Sequence, residues 1–188
     1  MLYSQQSLVT LDDLKEHLSI EDTDNDAQMM QLLMWATRFI ENATRQPQSP
    51  VTATLNIRPY SSSVLRFPYA VQSITSVTYD GKAISSSDYD LSPLLGPPYY
   101  RLTLKATSDV VFDSSKVATI AAVWGLKTDD AIRMAIILMV SRAVNEAYDD
   151  GLTAISTDFA TRQFNREKRT TPMVEEIIAS HKTPVLTL

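Results

Sequence analysis

The hydrophobic period of this chain changes twice, and those two changes bound what it can fold into. Up to Thr44 the apolar residues recur at helical spacing; from Val51 to Trp124 they alternate; beyond Thr128 the helical spacing returns. Alternation places one apolar face on a strand, and a period of about 3.6 places one on a helix. The sequence therefore predicts an α+β fold. Its helical core comes from the two ends of the chain, residues 1–50 and 125–188. An antiparallel β-module, residues 51–124, is inserted between the second and third helices.

The first helix is predicted at "TLDDLKEHL". Thr10 caps it, Asp13 completes a capping box, and Leu11, Leu14 and Leu18 share a face. The second runs from about Asn25 to Thr44. Met30, Leu33, Met34, Thr37 and Ile40 make one apolar stripe, and Leu32, Trp35 and Phe39 a second. An arc that wide means burial on more than one side, and the prolines of "RQPQSP" end it. A third helix is predicted over "TDDAIRMAIILMVSRAVNEAYDDG", with Thr128 as cap and Gly151 as stop. Last comes "TPMVEEIIASHK", with Thr171 as cap and Pro172 at the first helical position. So short a helix is marginal alone in water. Its apolar residues Met173, Val174, Ile177 and Ile178 must dock, on the chain's own core or on a partner.

Between the helices, "VTATLNIR", "VLRF", "VQSITSVTYDGKAI", "DYDLS", "YYRLTLK" and "KVATIAAVW" read as six or seven strands. Asp80-Gly81 forms a two-residue hairpin turn, and "SPLLGPPY" a loop.

Little in the sequence points to catalysis. The four glycines, at 81, 96, 125 and 151, lie too far apart for a phosphate-binding loop or a nucleophile elbow. With no cysteine, thiolate zinc sites and disulfides are excluded. His17 reads as a surface or interface residue on the first helix and His181 as a helix-end residue. No cofactor is expected. No apolar run reaches the ~18 residues of a membrane span, and "MLYSQQSLVT" lacks the marks of a secretory signal. A soluble chain made in the cytoplasm, with no membrane partner, is expected.

Charge is unevenly spread. Residues 1–50 hold eight acids against three bases, whereas residues 51–125 hold five acids against six bases. This is not the basic balance of a protein that grips DNA. The stretch "EDTDNDAQ" places Asp22, Asp24 and Asp26 as a calcium loop would. However, Ala27 stands where the loop needs Gly, and Leu33 where it needs a bidentate Glu. The competing reading is a helix start, with Thr23 as cap and Asp26 at the third helical position. In the tail, Arg162, Arg166, Lys168 and Arg169 surround Phe164. They read as a solvated linker or, as a weaker alternative, a phosphate contact.

Three further stretches carry a resemblance along with the opening pair of helices, which ends at Ile40-Glu41. They are "LRFPYAVQSITSVTYDG" followed by "SSSDYDLS", "ATIAAVWGLKTDDAIRMAIILMV", and the short amphipathic last helix. Their order resembles the head-tail connector (adaptor) proteins of long-tailed bacteriophages, in the longer form with a β-insertion. The departures are Thr128-Asp129-Asp130, where the family usually has Pro, and an off-pattern C-terminal helix. The resemblance implies a structural neck protein of the virion, without catalysis. It would form a ring of commonly twelve copies under the portal protein, extending the channel through which genomic DNA passes non-specifically. It would also offer a surface to the next neck or tail protein.

On that reading Pro172, Met173, Val174, Ile177 and Ile178 dock on the portal. Leu32, Trp35 and Phe39 meet a neighbouring subunit, the alternative being that both stripes of the second helix pack into the chain's own core, and Asp22, Asp24 and Asp26 face the channel. A stopper or tail-end protein of the virion is the alternative role. A small metal-dependent enzyme rests only on the Asp cluster.

Overall fold

A computed structural model describes residues 2–4, 6–149 and 171–182. The chain forms two compact units: Tyr3–Gln48 with Thr128–Leu188, and Ser49–Lys127. The fold is α+β, with four helices and one six-stranded antiparallel sheet among the described residues.

In the helical unit, α1 (Leu11–Leu18) begins with the predicted capping box. Asp13 N–H donates to Thr10 Oγ1 at 3.1 Å, and Thr10 N–H donates back to the Asp13 carboxylate at 3.3 Å. These hydrogen bonds from Thr10 are the main reason the Asp13 carboxyl lies below its ordinary range, with Arg133 adding to the effect. Helix α2 spans Asp26–Thr44, α3 Asp130–Asp149 and α4 Pro172–Ser180. Their facing apolar residues form one core, including Leu14, Leu33, Ala36, Ile40, Ile132, Ile136 and Val140. Arg133 reaches across to Asp13 at 2.7 Å and ties α3 to the start of α1.

Two predicted caps fall elsewhere. The N-cap of α2 is Asn25, with no side-chain cap bond, and Thr23 contributes only its carbonyl, to Asp26 N–H at 3.3 Å. Asp26 instead pairs with Lys15 of α1 at 2.8 Å, so a tertiary ion pair takes the place of a local cap. At α3 the capping oxygen belongs to Asp129, which accepts from Ala131 N–H at 2.6 Å and Ile132 N–H at 3.3 Å. Thr128 turns away, donating its hydroxyl to the Gln48 carbonyl at 2.9 Å.

In the second unit the strands are β1 (Val51–Ile57), β2 (Val64–Tyr79), β3 (Lys82–Ile84), β4 (Tyr89–Ser92), β5 (Tyr99–Leu104) and β6 (Ala118–Trp124). Their order is β1-β6-β2-β5-β4, with β3 paired to β2. "VLRF" and "VQSITSVTY" are therefore one 16-residue strand rather than two. The first half of β2 pairs with β5 and the second with β6 and β3, with a register shift between Arg66 and Val71. Pro68 lies in that shift. Lacking an N–H, it cannot donate to the ladder and is tolerated at an irregularity. Alternate residues build one core of Leu65, Phe67, Val77, Leu102, Ile120 and Trp124. Phe112 joins it from the β5–β6 loop, edge-on to Tyr79 at 5.0 Å.

Candidate docking surfaces

The short last helix is held by its own unit. Val174 and Ile178 are 1% and 8% exposed and lie in the helical core. The expectation that they dock on a partner is corrected: a nine-residue helix needs an apolar bed, and α2 and α3 supply it. Pro172 and Met173 are exposed and Ile177 is half-buried, so they remain available.

The second stripe of α2 divides in the same way. Leu32 is 2% exposed and belongs to the core, which corrects its assignment to a subunit interface. Trp35 and Phe39 stack on each other, 5.3 Å between centroids, and are only partly covered. Of the three aspartates, Asp22 and Asp24 are exposed, joined by Asp24 N–H donating to Asp22 Oδ1 at 3.3 Å. Asp26 is half-buried and paired with Lys15 at 2.8 Å, unlike its two exposed neighbours. No group of three or more metal-ligating side chains occurs among the described residues. Arg162, Arg166, Lys168 and Arg169 lie outside the described residues.

One polar contact was illegible in the sequence. His181, read as a helix-end residue, ties the end of α4 to the start of α3. Its Nε2 lies 3.0 Å from Asp129 Oδ2, and its Nδ1 2.8 Å from the Ile177 carbonyl. The imidazolium donates to both acceptors, and Ser180 Oγ also lies 3.0 Å from Nδ1. Burial pulls the His181 pKa down. The Asp129 carboxylate and the Ile177 carbonyl outweigh that and leave it above the ordinary 6.5. The His181 hydrogen bond, first among several, pulls Asp129 below 3.8. A raised histidine contributes stability fully below its unfolded value, and that stability is lost as pH rises through the folded one. A lowered aspartate contributes above its unfolded value, and the contribution is lost as pH falls through the folded one. The latch is therefore tightest between about pH 4 and about pH 6.5. Amide hydrogen exchange of α4, corrected for intrinsic rates, is expected to lose protection as pH rises from about 6 to about 8. His181→Ala is expected to abolish that dependence.

No helix among the described residues is long and apolar enough to cross a membrane. Exposed apolar side chains occur in both units, Met30, Met134 and Met173 in the first and Tyr60, Leu94, Leu95, Val111 and Val117 in the second; of these Leu94 and Leu95, in the β4–β5 loop, are the most exposed at 82% and 102%.

A helical unit whose last helix is strapped to its own core is interrupted in sequence by a one-sheet β-module. A family model described as head completion protein matches residues 7–183, and the chain belongs to that family. Among solved structures it is similar to a chain of the virion of a native gene transfer agent particle, with 14% identity, 95% of this chain and 90% of that chain covered, and a TM-score of 0.64. Coverage is the same for chains from the neck of an empty particle computed with C6 symmetry and the neck of a native particle computed with C12 symmetry. Those have 14% and 15% identity and TM-scores of 0.62 and 0.58. Among curated proteins no relative matches by sequence.

Proposed function

We propose that copies of this chain close into a ring beneath the portal, prolong the DNA channel, and present the attachment surface for the next neck or tail protein. The observation that carries this reading is the match to the head completion family over residues 7–183. The six-fold and twelve-fold symmetry used for the similar necks supports a ring. Closure requires two unlike faces on each copy. On the outward side of α4, Pro172, Met173 and the free edge of Ile177 are the portal contact, while Val174 and Ile178 hold the helix in place. Trp35 and Phe39 form an apolar patch for a neighbouring copy.

Electron microscopy of particles carrying the tagged chain is the direct test: a ring between portal and tail is expected, and a particle whose neck lacks the chain overturns the reading. For α4, Met173→Asp leaves the buried residues untouched. It is expected to weaken capture by the portal about ten-fold while the melting temperature stays put. Unchanged capture removes α4 from the contact.

A further inference from the structure

We propose that the β4–β5 hairpin with the adjoining part of β2 is a docking face, and that its occupant is the acidic α1–α2 loop of a second copy of this chain. This rests on the ring reading above and specifies one of its two unlike faces.

Arg66 of β2 and Arg101 of β5 are directly opposed in the sheet. Their neighbours Leu65, Phe67 and Leu102 point into the core, so both guanidinium groups stand on the other face. Like charges placed directly opposite each other are destabilising unless something answers them. Among the described residues no carboxylate pairs with either. Arg66 lies over the ring of Tyr60 at 3.6 Å, and Arg101 donates to Ser92 Oγ at 3.4 Å. Asp90, on the same hairpin, is engaged by Lys105 at 3.5 Å. Leu94 and Leu95 at the loop complete a surface of Tyr, Arg and large apolar groups, which is the composition of interface centres.

The complement is on the chain itself. Glu21, Asp22 and Asp24 are exposed, and their carboxylates have no cation partner among the described residues, because Lys15 is taken by Asp26. Met30, one turn into α2 and 43% exposed, offers an apolar contact for the leucines. Carboxylates match the guanidinium fork. Phosphates do so too, but six bases against five acids in residues 51–125 is too even a balance for a DNA-gripping surface. Asp22 and Asp24 thereby face a neighbour rather than the channel.

The chain has no cysteine, so introduced thiols are unique. Particles are assembled with an Arg101→Cys/Asp22→Cys chain and treated with a short bismaleimide, since Arg and Asp side chains hold backbones too far apart for a disulfide. A ladder of linked copies is expected, and neither single variant should give one. In parallel, Arg66→Glu/Arg101→Glu is expected to cut incorporation into particles about ten-fold or more, and adding Asp22→Arg/Asp24→Arg to the same chain should restore it. Circular dichroism checks that each variant is folded.

A visible ring without cross-links overturns this contact and leaves the ring standing. A particle without a ring overturns both. Salt-sensitive binding of the full chain to duplex DNA, lost in Arg66→Glu/Arg101→Glu, would reassign the face to phosphate and overturn the proposal.

Discussion

Replacing Glu41 with alanine is expected to destabilise the helical unit by about 3–5 kcal/mol. The side chain is fully buried near the end of α2, and its carboxylate gathers donors from two separate segments. Ser4 donates its N–H at 3.1 Å and also its hydroxyl, and Gln48 donates its N–H at 2.9 Å. Each donor left unsatisfied in a buried site costs about 1–3 kcal/mol, more where the lost acceptor was charged. Water entering the space left by the side chain recovers part of the sum. Glu41→Gln keeps the volume but turns an NH2 group toward donors, so its cost is expected to fall between wild type and alanine. Urea denaturation followed by far-ultraviolet circular dichroism measures the difference, and amide exchange at Ser4 should accelerate in step. A cost under about 1 kcal/mol would mean that the carboxylate is not what holds the N-terminal segment to α2.

That carboxylate also explains what one part of the sequence was doing. Ile40-Glu41 stood out as part of a family resemblance, with no physical reason attached. The structure supplies one: Ile40 is core, and Glu41 fixes the turn after α2, where Arg45 adopts a positive φ of 57° and buried Gln48 donates to Thr44 Oγ1 at 2.8 Å. The amphipathic helices and the alternating strands were legible because periodicity records which face is buried. The capping box at Thr10 was legible because both partners lie within one turn.

What periodicity does not record is the identity of the covering partner. Val174 and Ile178 looked unpartnered only because α2 and α3 are distant in sequence. The same limit hid the Asp129–His181 contact and the opposition of Arg66 and Arg101, which depends on strand register. It also hid the Lys15–Asp26 pair, whose members stand eleven residues apart on two different elements. The division of β2 into "VLRF" and "VQSITSVTY" is the opposite case: the residues between them, Pro68 included, are an irregularity within one strand.

Trp124→Ala is expected to cost the β-module about 3–5 kcal/mol and to lower the transition of that unit selectively. Trp124 is fully buried, edge-to-face with Phe67 at 5.8 Å, and its Nε1–H donates to the Ala53 carbonyl at 2.8 Å. It ends β6 where that strand is paired to Val51 of β1 on one side and Val71 of β2 on the other. Its removal opens a cavity beside the point where β2 passes from one partner to the next, and takes the indole hydrogen bond from the Ala53 carbonyl of β1. Each unit has its own core, so the helical signal in circular dichroism should outlast the amide-I sheet band during urea unfolding. Trp35, the one tryptophan left, reports the helical unit by fluorescence. Simultaneous loss of both signals at the same urea concentration would show a single cooperative unit instead. The functional consequence follows from register. Arg66 and Arg101 are opposed only while β2 and β5 are paired, so a chain whose sheet has melted keeps its acidic loop but loses the face that answers it. Such a chain is expected to be excluded from particles near the temperature at which its sheet melts, well below the melting of its helices.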